Sequence, residues 1–176
     1  MYIKQLEIDN FKSFANKVDI PMLQGFTTIS GPNGSGKSNI IDSILFALGL
    51  STSRTLRAEK LFHLISTYNK RNEAFVKVTF GETEDGDFSV ARRIRKSSQG
   101  FNSIYYLDDK IATLSDIHAK LEKYNITPNS YNVMMQGDVM SITNCTPGER
   151  RKIIDEIAGI ADLSLIHISE PTRPRL

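Results

Sequence analysis

The sequence predicts an α/β fold in which a strand, a glycine-rich loop and a helix come first, an antiparallel β meander follows, and a helix with a strong start signal stands near the end. Three observations carry that expectation. Gly31-Pro32-Asn33-Gly34-Ser35-Gly36-Lys37-Ser38 lies between an apolar run and a helical periodicity. Three runs rich in Val, Ile, Phe and Tyr, at 75–80, 88–95 and 103–114, are separated by turn residues. Thr146-Pro147-Gly148-Glu149 puts Thr at an N-cap, Pro at the first helical position and Glu three residues after the cap.

The elements follow in order. From Tyr2 to Phe11, Leu6 and Ile8 alternate with Glu7 and Asp9, the period of a half-buried strand, and Val18 to Ile20 is short enough to pair with it before Pro21 ends it. Gly25 precedes Phe26-Thr27-Thr28-Ile29, read as a third strand leading into the glycine loop. Ile40, Ile41, Ile44, Leu45 and Leu48 then recur at helical spacing, and Gly49 is placed to stop the helix. Residues 51–73 are polar and basic around Leu61-Phe62 and Leu64-Ile65 and read as an irregular excursion. The meander turns at Glu84-Asp85-Gly86 and at Ser97 to Gly100, and Ser115 can cap a helix carrying Ile117, Leu121 and Tyr124. In the last helix Ile153, Ile154, Ile157, Ala158 and Ala161 form the apolar stripe.

With 176 residues, 40% of them apolar and 24% charged, the chain suits one domain with a single core. The longest apolar stretch, Ile44 to Leu48, is far short of the ~20 residues of a membrane span, so a cytoplasmic location without membrane contact is expected. A lone Cys145 excludes an internal disulfide and a structural zinc site. The 22 basic and 20 acidic residues leave a net charge of +2, which decides nothing about partners.

Gly31 to Ser38 matches the phosphate-loop pattern of glycine, four residues, glycine, lysine and serine, in the strand-to-helix context that the chemistry requires. Glycines let successive N–H groups converge on phosphate oxygens, and the following helix adds the positive end of its dipole. Lys37 is expected to reach the outer phosphates and the Ser38 hydroxyl to ligate Mg2+. A GTPase needs an Asp-x-x-Gly element, which is absent, and Asn16-Lys17-Val18-Asp19 lies too close before the loop to read a guanine. Hydrolysis needs an acidic strand end and a water-orienting Glu. Tyr105-Tyr106-Leu107-Asp108-Asp109 offers acids, but they read better as a hairpin turn, and no Leu-Ser-Gly-Gly signature is present. The expectation is a phosphate cradle without the rest of the catalytic equipment.

Phe11-Lys12-Ser13-Phe14, Gly31 to Asn39, Thr55-Leu56-Arg57-Ala58-Glu59-Lys60-Leu61, Val133-Met134-Met135-Gln136-Gly137-Asp138-Val139 and Glu149 to Gly159 occur in this order. Together they resemble the N-terminal head segment of a prokaryotic, archaeal-type structural maintenance of chromosomes (SMC) protein. The resemblance covers residues 1–162. It implies the N-terminal half of an ABC-type P-loop NTPase head, with ATP and Mg2+ as cofactors and a last helix leading toward a coiled coil. It further implies a DNA-dependent ATPase of chromosome condensation and segregation, nucleoid-associated in the cytoplasm. The implied partners are the C-terminal half of the same head, a second SMC head in a homodimer, a kleisin-type subunit and DNA. The alternatives are a head fragment of a coiled-coil DNA-repair ATPase, a nucleotide-binding interaction module that never hydrolyses, and a small-molecule kinase, which the meander and the Gln136 block disfavour.

On the resemblance, Lys12, Ser13, Gly31, Pro32, Asn33, Gly34, Ser35, Gly36, Lys37, Ser38, Asn39 and Gln136 bind nucleotide. Gln136 is also the catalytic residue, holding Mg2+ with Ser38 and orienting water, and Arg57 links head engagement to DNA. Arg92, Arg93, Arg95 and Lys96 are weighed as a DNA contact, but strand alternation sends Arg93 and Arg95 to one face and Arg92 and Lys96 to the other. From Leu163 a tail with Pro171 and Pro174 replaces the expected heptads, so 163–176 is read as a non-native or disordered tail, a read-through or assembly scar.

Overall fold

The computed structural model describes residues 1–50, 60–84, 86–127 and 145–157. Two compact units divide the chain at Pro128 and Asn129.

In the first unit six strands form one sheet, β1 (Tyr2–Asp9), β2 (Val18–Pro21), β3 (Glu73–Gly81), β4 (Phe88–Ser97), β5 (Gly100–Leu107) and β6 (Lys110–Ala112), in the order β2-β1-β3-β4-β5-β6. Every neighbouring pair is antiparallel. The expected meander is present, and its third run is itself a hairpin: Asp108 and Asp109 form the β5–β6 turn at φ 49° and 61°, as their bland reading anticipated.

Register decides which face is core. Leu6 lies opposite Val78 and Ile8 opposite Val76, and these in turn oppose Val90 and Arg92 on β4. Leu6, Ile8, Val76, Val78, Val90 and Ile94 are fully buried on one face, while Glu7, Asp9, Lys77 and Arg93 alternate onto the other. The helix α1 (Lys37–Leu48) lies against β3 and β4, and α2 (Leu114–Glu122) packs on β5. Leu64 and Ile65, at the end of the short 3-10 helix Leu61–Leu64, are buried, so the excursion returns a plug to the core. No described helix is long and apolar enough to cross a membrane.

Three expectations change. Phe26 to Ile29 is not a strand: Phe26 is 97% exposed and Ile29 41%, and no described strand runs beside them. A strand of that kind exists only when neighbours complete its hydrogen bonds and cover its faces. The buried residues of α1 are Asp42, Ser43, Leu45, Phe46, Ala47 and Leu48, whereas Ile41 is 39% exposed and Ile40 and Ile44 are half-buried, so the apolar series is only partly covered. The cap of α2 is Thr113, two residues before Ser115, because Asp116 closes a capping box on it: Asp116 N–H donates to Thr113 Oγ1 at 3.2 Å and Thr113 N–H to Asp116 Oδ2 at 2.9 Å.

In the second unit α3 (Pro147–Ile157) begins with the expected box, Thr146 N–H donating to Glu149 Oε2 at 2.9 Å and Glu149 N–H to Thr146 Oγ1 at 3.4 Å. Residues 158–176, with Ala158, Ala161 and the whole tail, lie outside the described residues.

Phe46 is fully buried, with its ring 5.1 Å from that of Phe11 and the Arg92 guanidinium 4.7 Å away. Phe46→Ala is expected to cost about 3–5 kcal/mol, a large part of the ~5–15 kcal/mol of a domain this size, read from the urea midpoint. A loss below about 1 kcal/mol would mean that α1 does not pack here. Thr113's hydroxyl and then its backbone N–H hold the Asp116 carboxyl below the usual aspartate range. Its contribution to stability is therefore complete above the ordinary aspartate value and lost as pH falls through the depressed one. Acid titration is expected to fray α2 in that window in the parent chain, and Thr113→Val, which removes the hydroxyl but keeps the backbone N–H, to weaken the pH dependence.

Candidate functional site

The loop of residues 31–36 is shaped by its glycines. Gly34 and Gly36 have φ of 82° and 96°, the left-handed region that disfavours a side chain, and Gly36 is the N-cap of α1. A Cβ on Gly31 would stand 2.9 Å from Ser35 Oγ, whereas one on Gly34 would meet nothing within 4 Å. The loop is exposed and α1 starts directly from it. Lys37 Nζ spans this concavity, donating to Gly31 O at 2.7 Å and to Pro32 O at 2.8 Å. A cation, a helix N-terminus and glycines in the left-handed region converge on one small volume, the physical requirement for holding an oligophosphate.

The turn after β1 braces the loop. Asn10 and Lys12 both have positive φ, 54° and 48°, and Phe11 and Phe14 exchange backbone hydrogen bonds at 2.9 and 2.8 Å. Asn10 is fully buried, and its Nδ2 donates to Arg71 O and Glu73 O, fastening the turn to the start of β3. Ser13 Oγ accepts from Asn39 Nδ2 at 2.8 Å and lies 2.9 Å from where a Cβ on Gly36 would be. Ser13, Gly36 and Asn39 thus meet. Lys12 Nζ lies 2.5 Å from Oδ2 of Asp42, a fully buried carboxylate on the second turn of α1. Asp42 was missed in the sequence. Its signal is its place in the i, i+3, i+4, i+7 series with Leu45, Phe46 and Gly49, which puts an acid on the core-facing stripe.

The other end of α1 is tied down as well. Gly49, at φ 66°, donates to Phe46 O at 3.3 Å, and Leu50 N–H to Leu45 O at 3.1 Å. His118 Nε2 lies 3.3 Å from Gly49 O. Arg92 is the correction among the basic residues: it is 8% exposed and lies between Phe46 and Tyr105 at 4.7 and 4.6 Å. Its Nη1 donates to Phe46 O and its Nε to Ser103 Oγ. Burial pulls its guanidinium below the usual arginine value against the opposing pull of Tyr105, and pushes the Tyr105 phenol up. Arg92 therefore caps the negative end of α1 from inside and is removed from any DNA-contacting surface.

The remaining basic positions do not form one patch. Arg93 lies over Phe75 and Tyr106 on the opposite sheet face, in a concavity that also holds Glu7, Asp9, Lys17, Glu73, Lys77 and Asp109. Arg95 approaches Glu73 at 4.0 Å, and Lys96 Nζ lies 5.2 Å from the centre of the Phe62 ring. Asp108 Oδ1 accepts from Ser89 N–H and Asp109 pairs with Lys77 at 2.6 Å, so both acids are engaged within the sheet. Arg57 and Gln136 lie outside the described residues.

The RecF/RecN/SMC N terminal domain family matches residues 2–149. The chromosome partition protein Smc of Gloeobacter violaceus is 50% identical over 165 residues, covering 92% of this chain and 14% of its own length. A solved SMC head bound to the C-winged helix domain of ScpA superposes with a TM-score of 0.82 at 39% identity, over 92% of this chain and 52% of that one. Another, from work on ATP-driven dimerization and DNA-stimulated activation of SMC ATPases, gives a TM-score of 0.77 at 38% identity over 89% of this chain and 99% of that one. The chain thus spans about one seventh of the curated Smc proteins it matches and the whole of a solved head segment. With the loop, its bracing turn and the antiparallel sheet in the order that the motifs anticipated, the chain belongs to the RecF/RecN/SMC N-terminal domain family, as an N-terminal head segment of its SMC branch.

Proposed function

We propose that this chain is the ATP-binding N-terminal half of the head of a chromosome-organising, DNA-dependent ATPase, acting in chromosome condensation and segregation on the cytoplasmic nucleoid. The observation that carries the reading is the Gly31–Ser38 loop opening directly into α1, with Lys37 drawn across its concavity. Backbone N–H groups of the loop and first turn receive phosphate oxygens, Lys37 adds charge-assisted hydrogen bonds to the outer phosphates, and the α1 dipole favours the anion. Lys12 and Ser13 close the cradle from the β1 side, Asn39 holds Ser13 in place, and Pro32, Asn33 and Ser35 shape the loop.

Ser38, exposed at the second position of α1, and Gln136 are the residues that would hold Mg2+. Bound there, the ion would offset the phosphate charge as it develops during transfer. Gln136 is also the residue we assign to orient the attacking water. Asp42 on α1 is engaged by Lys12 and Asp109 in the β5–β6 turn by Lys77, and we assign the carboxylate that completes a hydrolytic site to another segment.

The partner we assign first is the C-terminal half of the same head. Leu23 is 82% exposed, Phe26 97%, Ile29 41% and Ile41 39%, and with the half-buried Ile40 and Ile44 they leave apolar surface at and around the loop. A helix apolar on two sides is a helix meant to be buried on both. A second head, a kleisin-type subunit and DNA follow as further partners. The relatives' name, the ScpA-bound SMC head and the SMC ATPase structure support them. Arg57, Arg93, Arg95 and Lys96 remain the candidate DNA-linked residues, and residues 1–162 the functional segment.

Lys37→Ala is expected to lower Mg-ATP affinity by roughly 100-fold, because two charge-assisted hydrogen bonds are lost while the phosphates must still be desolvated. Unchanged affinity by calorimetry in a folded variant would overturn the assignment. Alone, the chain is expected not to turn over ATP. Linked to a matching C-terminal head segment it should gain slow turnover with a steep dependence on protein concentration, stimulated by DNA and weakened by salt. Hydrolysis by the chain alone, first order in protein and insensitive to Gln136→Ala, would show a different division of labour.

A further inference from the structure

We propose that Asp42 is a positioning residue of the nucleotide site: through its ion pair with Lys12 it sets the turn after β1 against the phosphate loop. The proposal rests on the reading of Gly31–Ser38 as a phosphate cradle and assigns its geometry to a residue outside the motif. A carboxylate with no exposed surface is expensive in a core-facing stripe whose other members are Leu45 and Phe46. An apolar residue at position 42 would favour α1 packing more, so the acid must be explained by what it holds.

It holds Lys12, at 2.5 Å, with the lysine side chain only 14% exposed. Lys12 is itself at φ 48°, a conformation costing about 1 kcal/mol or more for a residue with a side chain, and its backbone N–H is bonded to Leu64 O at 2.8 Å. Backbone and side chain are therefore fixed at both ends. The next residue is Ser13, whose hydroxyl takes Asn39 Nδ2 and abuts Gly36. Asn39 and Asp42 are i and i+3 on α1, one face of the helix. The turn thus grips that face at two successive points, Ser13 on Asn39 and Lys12 on Asp42. With the Lys12–Asp42 grip lost, Ser13 has one hydrogen bond to keep it over Gly36, and the loop's first helical amides lose their brace. Arg92 and His118 hold the far end of α1, so the loosening stays at the loop end.

Amide hydrogen exchange on the full 176-residue chain reads this without nucleotide. Lys12→Met and Asp42→Asn are expected to speed exchange at Asn39, whose N–H is bonded to Gly36 O at 2.9 Å, by about tenfold, with Gly49 and Leu50 unchanged. Lys12→Arg should stay near the parent rate. The double variant, which leaves neither charge buried alone, should be no faster than the faster single variant and carries the test where a single variant fails to fold. Calorimetry with Mg-ATP should give the same non-additive pattern, a loss of about tenfold for each single change. Parent-like exchange at Asn39 in the folded variants, or acceleration at Gly49 and Leu50 to the same extent, would overturn the proposal. If exchange behaves as expected while Lys37→Ala leaves ATP affinity unchanged, the brace stands and the phosphate-cradle reading fails.

Discussion

A loop that presents backbone N–H groups to phosphate is only as well defined as the helix that follows it, and the immobilisation of α1 is the constraint on which the rest of this structure depends. A 12-residue helix is marginal by itself in water. Here Leu45, Phe46, Ala47 and Leu48 are buried, against a sheet face of Leu6, Ile8, Val76, Val78 and Val90. The sheet supplies more than area. β4 sends Arg92 to the carbonyl end of α1, and the turn after β1 sends Lys12 and Ser13 to its amino-terminal half. Helix and loop are held from both ends by groups whose positions are set by strand register.

The same helix explains why the chain carries surface that a finished domain would hide. Burial of Asp42, Leu45, Phe46, Ala47 and Leu48 leaves Ile41 exposed and Ile40 and Ile44 half-covered. The segment after β2 shows the same shortage in backbone terms. Phe26 to Ile29 has the composition of a strand, but the six described strands are all antiparallel and, among the described residues, none runs beside it. Strands buried on both faces need a neighbour on each side and a layer above and below.

What was legible in the sequence was local. The phosphate-loop pattern, the alternation in β1, the Gly49 stop and the Thr146–Glu149 box all depend on residues within a few positions of one another. What was not legible depended on distance. Phe26 to Ile29 has strand chemistry without strand partners, and Asp42 meets Lys12 across 30 residues. The Thr113 cap is an intermediate case: its partner Asp116 is local, but Ser115 competes for the same role, and only the reciprocal bond identifies Thr113 as the N-cap. Gln136 and Arg57, read from motifs alone, lie outside the described residues.

The run Arg92, Arg93, Arg95 and Lys96 shows how far charge in a sequence is from charge on a surface. Alternation correctly predicted two faces, but one of them is the core. Arg92 is spent on the α1 terminus, because a guanidinium can stack on Phe46 and Tyr105 while still finding a carbonyl and a hydroxyl. On the outer face Arg93 shares its concavity with Glu7, Asp9, Glu73 and Asp109. A polyanion laid there meets carboxylates as well as Arg93. At the far end of β4 the balance differs: Lys96 and Lys60 both lie within reach of the Phe62 ring, at 5.2 and 5.8 Å, and neither is ion-paired to another described residue. Among the described cations around β4, those without a carboxylate partner therefore stand at the end of the strand and not along its length.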